Sequence, residues 1–417
     1  MSINGLLPAQ LGRSFRWLWG GATVANLGDG LMLSAGPLLV ASVTLNPVLV
    51  SLAMVAQRLP WVCFGVLAGA VVDRVDRKRL VIIVDLLRAV VLAALAGTVA
   101  TGVVNLPLVY LILFLLGSAE TFADNAAGTL MASVVPAKHL GVANSRLYGA
   151  AIVTNQLAGP PLGAFLFAAG LWLPFAADTA CFALATVLVS RIGWEHRARA
   201  EVSGAADPST RLRTEIAEGL RWLWRHPPVR TLAVMITVFN VTFGAAFAIW
   251  VLYARQRLGL GEVGFGLLIT ASAGGGLIGS VIYGRLERRF ALATLLRAGL
   301  VIETCTHAVL ALTTWWPIAA AVMVLFGCHA VVWGTTSTTV RQRAVPNQLL
   351  GRVTGVYLLG SVGGGVLGAA LGGAIAQVGG ITAPFWFAFL GSAICTVLIW
   401  RSLAKVAHAA EPEPEPA

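Results

Sequence analysis

Long apolar stretches, interrupted by short polar or glycine-rich segments, dominate the pattern of this chain. Residues 353–400 contain no Asp, Glu, Lys or Arg, and only glycines and a proline near residue 380 break the run. A helix needs about 20 apolar residues to cross a hydrocarbon core of about 30 Å, so this run is long enough for two crossings joined by a tight loop. The other uncharged runs of this kind occupy residues 89–119, 147–177 and 304–340.

The pattern predicts an all-α membrane protein with twelve transmembrane helices. The predicted spans are 17–43, 47–70, 80–101, 106–132, 143–168, 172–192, 231–253, 263–284, 291–312, 316–340, 351–378 and 381–401. Composition agrees, because hydrophobic residues make up 58% of the chain, charged residues 11%, and the mean hydropathy is +0.82. A soluble domain has no way to bury that much apolar surface.

The net charge of +11 reflects membrane topology and does not indicate a nucleic-acid partner. With the N-terminus inside, most Lys and Arg residues fall in cytoplasmic segments, while Arg255 and Arg257 lie outside. Cytoplasmic loops of membrane proteins carry such an excess of basic residues. We therefore expect a multi-pass protein of the plasma membrane, with both termini in the cytoplasm.

The chain also repeats itself. A single shift in register aligns Val135-Pro136 with Val345-Pro346 and holds across two further loops, which indicates two homologous six-helix halves. The predicted organisation is an N-terminal half (1–193), a cytoplasmic linker with an amphipathic helix (194–230), a C-terminal half (231–404) and a disordered, acidic, proline-rich tail (405–417).

The linker helix has one apolar face. Leu212, Ile216, Leu220 and Leu223 are spaced to share one side of it. We expect this helix to lie on the cytoplasmic surface of the membrane.

The loop after the second span carries a recognisable motif. It begins at Gly69 and continues through Asp73-Arg74 to Arg77-Lys78, and it resembles the signature loop of the major facilitator superfamily. Asp76 stands where that pattern has Gly; we expect the loop to tolerate it, because Asp adopts positive φ more readily than most residues. The residues that resemble the branch containing the enterobactin exporter and the macrolide efflux proteins are Gly28-Asp29-Gly30, Ala143-Asn144, Gln342, Val345-Pro346 and Leu350-Gly351-Arg352-Val353.

The resemblance implies two pseudo-symmetric six-helix halves and a conformational switch at this loop. Gly69 would allow close helix packing, and Arg77 would pair with a carboxylate, for which Asp124 is the nearest candidate in depth. In the family this cluster ties the halves together on the cytoplasmic side. The alternative for the basic residues, Arg74 among them, is that they only hold the topology.

Charged residues inside the spans are the sharper functional signal. Asp29, Arg58 and Glu120 lie near the middle of spans one, two and four, where each charge costs roughly 2.5–3.5 kcal/mol to insert. The resemblance places spans one, four, seven and ten around a central cavity, so Asp29 and Glu120 become candidate proton-binding sites. An ion pair between Asp29 and Arg58 with a structural role is the alternative.

Other charged groups suggest local pairing. Asp85 and Arg88 are three residues apart and are expected to pair with each other, as are Glu303 and His307 at a spacing of four. Asp178 is expected to reach the interface at the outer end of its span.

Several side chains suggest a mixed polar and aromatic substrate pocket. They are Asn26, Asn240, Trp250, Trp333 and, within a run of hydroxyl residues, Thr336. Such a pocket suits a bulky amphipathic molecule, although Ser and Thr side chains in helices also bond their own backbone.

The fifth span contains Gly159, Pro160 and Gly163, which partly match the antiporter motif of the superfamily. The match favours export, while plain helix packing by small residues is the alternative.

These features together predict a secondary active transporter that exports small amphipathic molecules in exchange for protons by alternating access. An importer or facilitator with the same fold is the alternative, and a membrane sensor or enzyme is a weaker one. We expect a monomer in the lipid bilayer with a small-molecule substrate, no cofactor, no metal and no catalytic residues, since the five Cys residues lack metal-ligand spacing.

Overall fold

The computed structural model describes residues 11–72, 75–193 and 208–403, which form fifteen α-helices joined by short turns. Ten of these helices are long and apolar enough to cross a membrane, and no β-strand occurs within the described ranges. The all-α membrane fold predicted from the hydrophobic pattern is confirmed.

The helices follow the predicted spans within a few residues at most ends. The first seven are α1 (Gly12–Val43), α2 (Pro47–Val72), α3 (Arg77–Ala100), α4 (Leu106–Val134), α5 (Leu140–Ala151), α6 (Gly159–Ala169) and α7 (Leu173–Ser190). The others are α8 (Pro208–Arg225), α9 (Pro227–Phe247), α10 (Trp250–Gln256), α11 (Glu262–Arg289), α12 (Leu292–Leu312), α13 (Trp316–Ala344), α14 (Asn347–Gly379) and α15 (Ala383–Ile399).

The predicted fifth span departs from a regular helix. Between α5 and α6 the backbone is π-helical over Ile152–Ala158. Pro160 and Pro161 follow directly and have no N–H group, so the regular hydrogen bonds to the carbonyls one turn earlier cannot form. The freed carbonyl of Leu157 accepts a hydrogen bond from the Thr270 hydroxyl at 3.4 Å. The span is helical from end to end but irregular at its centre.

Specific residues end the helices. Gly380 has φ of 85° and terminates α14 before the short turn into α15; a side chain would strain this left-handed conformation. At the C-terminal end of α12 the Arg257 guanidinium donates to the carbonyls of Ala311, Leu312 and Thr313, where unpaired carbonyls favour a cation.

Contacts divide the chain into two compact units. The first comprises Met1–Leu45, Ala56–Gly204 and Leu260–Thr270, and the second comprises Asn46–Val55, Ala205–Gly259 and Ala271–Ala417. In the first unit α1 packs along α6 and α7, and α3 packs against α4 and α7. In the second, α9 packs along α14 and α15, and α12 packs against α13 and α15. Helices α2 and α11 are each divided between the units.

The linker helix α8 packs against α14 of the second unit. Gly219 lies so close to α14 that a Cβ there would be 2.8 Å from the Arg352 carbonyl oxygen, and Glu218 forms an ion pair with Arg352. Leu223 is buried, whereas Leu220, expected on the same face, is exposed. The buried part of this apolar face is therefore covered by the second unit and not by lipid.

Candidate functional site

An ion pair inside the first unit joins α1 to α3. The Arg88 guanidinium donates a hydrogen bond to the Asp29 carboxylate, and the two side chains are 6% and 25% exposed. The guanidinium also lies over the Phe182 ring, 4.0 Å from its centroid. The expected partners are wrong in both cases: Asp29 does not pair with Arg58, which is exposed, and no hydrogen bond joins Asp85 to Arg88 among the described residues.

Four further carboxyl groups lie within electrostatic range of this pair. Asp85, Glu120 and Asp178 each act on Arg88, and Asp124 interacts with both members of the pair. Arg58 lies close enough to act on Glu120. The acid cluster, defined as Asp29, Asp85, Glu120, Asp124 and Asp178, thus surrounds one buried guanidinium.

The members of the acid cluster differ steeply in exposure. Asp124 is exposed, Glu120 and Asp29 are half-buried, Asp85 is 4% exposed and Asp178 is completely buried. The cluster therefore runs from accessible carboxyls on α1 and α4 to a carboxyl sealed inside the unit on α7.

Asp178 is unusual because its buried carboxyl makes no hydrogen bond to any of the described residues. The Nε–H group of Arg88 is likewise buried and has no hydrogen-bond acceptor in this part of the chain. Asp178 lies against Gly28, where an added Cβ would be 3.2 Å from its Cγ. The expectation that Asp178 reaches the interface is wrong, because α7 turns this side chain toward α1. A charge without a hydrogen-bond partner costs several kcal/mol in such a buried place.

The residues that resemble an antiporter motif lie against the same helix as Asp29. An added Cβ at Gly30 would be 2.9 Å from the Gly159 Cα, and one at Gly163 would be 2.7 Å from the Ser34 hydroxyl. The Ser34 hydroxyl donates to the Pro160 carbonyl at 2.7 Å. The backbones of α1 and α6 therefore touch with no room for a side chain between them.

The loop motif is only partly described, since Asp73 and Arg74 lie outside the described residues. Asp76 has φ of −65° and caps α3 by accepting a hydrogen bond from the Arg79 N–H at 3.0 Å. The expected positive φ at Asp76 is wrong: the aspartate stabilises a helix N-terminus instead. An added Cβ at Gly69 would meet none of the described residues within 4 Å, so the expected close helix approach at Gly69 is not seen in this part of the chain.

The basic residues of the loop bind groups on neighbouring helices. Lys78 donates to the carbonyls of Ser190 and Ile192 at 2.8 and 2.7 Å and so caps the end of α7. Arg77 donates to the Ser133 hydroxyl at 3.1 Å. The expected pair of Arg77 with Asp124 does not form within the described part of the chain, because Asp124 faces the acid cluster.

The second unit contains a cavity of about 400 Å³ between α9, α12, α13 and α14. Asn240 and Trp333 line it, as expected for pocket residues. Thr336 is wrong as a pocket residue, because it is completely buried and donates to the Val332 carbonyl of its own helix; Thr338 lines the cavity in its place.

The other two expected pocket residues lie elsewhere. Trp250 is buried on α10 beside Phe385, and Asn26 belongs to the first unit, where it donates to the Ala22 carbonyl one turn earlier in α1. Of the four expected pocket residues in the second unit, Asn240 and Trp333 line this cavity, and Trp250 and Thr336 do not.

Glu303 on α12 accepts hydrogen bonds from two histidines. His307 lies 3.3 Å from one carboxylate oxygen, as expected from the spacing, and His329 of α13 lies 2.9 Å from the other. Glu303 and His329 also line the cavity. Among the described residues, no set of three or more His, Cys, Asp or Glu side chains is arranged to hold a metal ion.

Sequence reasoning did not assign three charged residues to these sites: Arg88 and Asp178, which belong with the acid cluster, and Arg341, which lines the cavity of the second unit. Arg88, Asp178 and Arg341 each lie within a predicted span or at its edge, and each is buried in the structure. A charged residue inside a span is the signal that pointed to Asp29 and Glu120. The same signal was present for Arg88 and Asp178, which were assigned to a local pair and to the interface.

The fold and these sites define a class of multi-pass, all-helical membrane transporters. The structure superposes on the nucleoside transporter NupG with a TM-score of 0.72, at 11% identity, covering 95% of this chain and 99% of that one. It also superposes on a bacterial homologue of the iron transporter ferroportin in the inward-facing state, with a TM-score of 0.73 at 16% identity, covering 98% and 100% of the two chains. At these identities the likeness concerns the fold alone.

The chain belongs to the transmembrane secretion effector family of the major facilitator superfamily, whose sequence model matches residues 7–415. It is 28% identical to the multidrug efflux pump Tap of Mycolicibacterium fortuitum over 388 residues, 87% of this chain and 89% of Tap. It is 22% identical to the enterobactin exporter EntS of Citrobacter koseri over 370 residues, 84% of this chain and 83% of EntS.

Proposed function

We propose that the protein is a proton-coupled exporter of small amphipathic molecules and not an enzyme. It works in the plasma membrane as a monomer, with both termini in the cytoplasm. Two six-helix halves (1–193 and 231–404) alternate access to a site near the midplane. The names of its relatives support export, since the family includes a multidrug efflux pump and an enterobactin exporter.

The observation that carries the proposal is the acid cluster with its single guanidinium. Five carboxyl groups lie within electrostatic range of Arg88, and among the described residues only Asp29 forms an ion pair with it. If all five were ionised, the charges of the buried members would be poorly compensated and poorly solvated, which is strongly unfavourable. We therefore expect the cluster to hold protons, with the exposed carboxyl of Asp124 as their route to water.

In this mechanism Asp29 and Glu120 bind and release the coupling proton, and Arg58 acts on Glu120. Protonation of Asp29 would free the Arg88 guanidinium, and the buried Asp178 carboxyl, which lies within electrostatic range of it, would then be available as an acceptor. A charge that moves between two helices in this way links proton binding to a shift of α1 against α7. The contacts of Gly159, Pro160 and Gly163 would transmit the shift to α6.

The loop residues Asp73, Arg77 and Lys78 serve as the conformational switch in this proposal. Lys78 supports it by holding the last carbonyls of α7, the helix that carries Asp178. Asp73→Asn is expected to impair transport at unchanged abundance in the membrane, and normal transport by that variant would remove the switch role.

The test is transport of a panel of amphipathic compounds into inside-out vesicles, with and without a pH gradient. Glu120→Gln and Asp29→Asn should abolish uphill accumulation while downhill exchange persists. Glu287→Gln, the same chemical change on α11 outside the acid cluster, is the matched control and should behave like wild type. Full proton-driven accumulation by both cluster variants would refute the coupling role, and uptake only into right-side-out vesicles would favour an importer.

A further inference from the structure

The cavity of the second unit has the size of a site for a small organic ligand. Its volume of about 400 Å³ falls in the range of about 300–1,000 Å³ typical of such sites. Its walls are mostly aromatic and aliphatic. The aromatic side chains that line it are Phe239, Phe243, Phe326, Trp333 and Tyr357.

Arg341 lines this cavity and forms no ion pair with a carboxylate of the described residues. The side chain is 8% exposed, and its guanidinium donates to the hydroxyls of Ser337 and Thr338 at 3.0 and 3.1 Å. One face lies 3.7 Å from the centroid of the Tyr357 ring. Among the described residues, no Asp or Glu lies within ion-pair distance of it. A guanidinium has five N–H donors, so donors remain for a ligand.

Two further polar atoms of the cavity wall are buried without a hydrogen-bond partner among the described residues, Nδ1 of His329 and the indole Nε1 of Trp333. The indole N–H of Trp333 can only donate. The ring is held by its packing on Gly299, where an added Cβ would be 2.8 Å from the Trp333 Cδ1. The Glu303 carboxylate, the acidic group in the wall, already accepts from His307 and His329. For a ligand, the cavity therefore offers the guanidinium of Arg341 and the indole N–H of Trp333 as hydrogen-bond donors between aromatic walls.

We propose that this cavity binds an aromatic molecule that carries a carboxylate or a comparable anionic group. The anionic group pairs with Arg341, and the aromatic body packs between Phe243, Phe326 and Trp333. A planar guanidinium binds a carboxylate in two parallel hydrogen bonds, which places the ligand at one end of the cavity. The inference rests on the proposed export function in that the bound molecule would be the cargo.

The test uses the full chain in phosphatidylcholine nanodiscs and a matched pair of probes. Equilibrium binding of tritiated 2-naphthoate and of its methyl ester is measured by scintillation proximity. The two probes share the ring system, but only the acid carries the charge. Wild type should bind the acid at least tenfold more tightly than the ester, and equal binding of the two by wild type would overturn the proposal without any variant.

Variants then assign the preference to Arg341. Arg341→Gln should reduce the ratio of the two affinities to about one, while Arg341→Lys, which keeps the charge but not the planar fork, should give an intermediate ratio. Arg343→Gln is the matched control, because Arg343 lies on the same helix, is exposed and does not line the cavity. An Arg341→Gln protein that elutes as a folded species and keeps the preference would overturn the assignment.

Two further arms separate the remaining outcomes. Displacement of 2-naphthoate when phosphatidylglycerol is added to the nanodiscs would assign the site to a lipid headgroup and overturn the cargo role. Equilibrium binding is measured without a gradient and is independent of transport. A wild type that binds the acid more tightly than the ester but transports no compound into vesicles would refute the export proposal and leave the binding inference standing. A wild type that exports but binds acid and ester equally would refute this inference alone.

Discussion

Removal of the Arg88 guanidinium should destabilise the protein more than removal of any other cation in the first unit. The Arg88–Asp29 pair is largely shielded from water, with side chains 6% and 25% exposed. Removing one member of a buried pair leaves an uncompensated charge and costs about 3–5 kcal/mol. For Arg88→Gln we expect the free energy of unfolding to fall by an amount in this range, because the variant also loses the contact with Phe182 and leaves five carboxyl groups without their common cation.

A double variant separates the pair from the general effect of losing a large side chain. In Asp29→Asn/Arg88→Gln both charges are gone, and the two amides can bond each other. We expect the double variant to recover about 2–3 kcal/mol relative to the sum of the two single losses. A recovery of this size would show that the cost lies in the unpaired charge.

The assay is reversible unfolding in mixed micelles of dodecyl maltoside and SDS, followed by tryptophan fluorescence. Arg58→Gln is the matched control: it is the same change at an exposed guanidinium that forms no ion pair with Asp29, and it should alter the free energy of unfolding by no more than about 0.5 kcal/mol. The reasoning is refuted if Arg88→Gln is no more destabilised than Arg58→Gln, or if the two single losses simply add.

Two further predictions concern packing and pH. Gly364→Ala should lower the free energy of unfolding by about 1–3 kcal/mol through overpacking, because its Cβ would lie 2.7 Å from the Thr237 carbonyl oxygen. At the adjacent position, the Cβ of Gly363→Ala meets none of the described residues within 4 Å, and this variant should be neutral or up to about 1 kcal/mol more stable. Equal unfolding midpoints of the two variants in an SDS titration would contradict this prediction. Burial lowers the pKa of His226, which stacks on Trp222 between α8 and α9. As the pH falls, His226 is therefore protonated in the unfolded chain, near pH ~6.5, before it is protonated in the folded protein. The free energy of unfolding should therefore fall as the pH drops through that value. Unfolding midpoints at pH 7.5 and 5.5 should differ more for wild type than for His226→Gln, and identical shifts would count against the interpretation.

The helices could be predicted from the sequence because membrane insertion depends on one-dimensional properties, namely length and hydrophobicity. The predicted span 17–43 corresponds to Gly12–Val43, and 316–340 to Trp316–Ala344. The main exceptions have local causes. Two prolines make the fifth span π-helical before Gly159, and the seventh span is divided after Phe247.

The partners of the charged residues could not be predicted, because they depend on which helices pack together and on how each is rotated. Depth in the membrane alone makes Arg58 a candidate ion-pair partner of Asp29, but in the structure Asp29 pairs with Arg88 of α3. The rotation of each helix about its axis also decides which side chains line the cavity. Thr336 and Thr338 are two residues apart, which places them on nearly opposite sides of α13, and only Thr338 faces the cavity.

The close backbone contact between α1 and α6 has a consequence for how the protein can evolve. Asp29 is flanked by Gly28 and Gly30, which lie against Asp178 and Gly159. A side chain at Gly30 would meet the backbone around Asn155 and Gly159, which cannot yield as a flexible side chain can. Under the proposed function, new cargo preferences should therefore arise by substitutions around the cavity of the second unit, while the helices that carry the proposed proton sites stay nearly fixed in sequence.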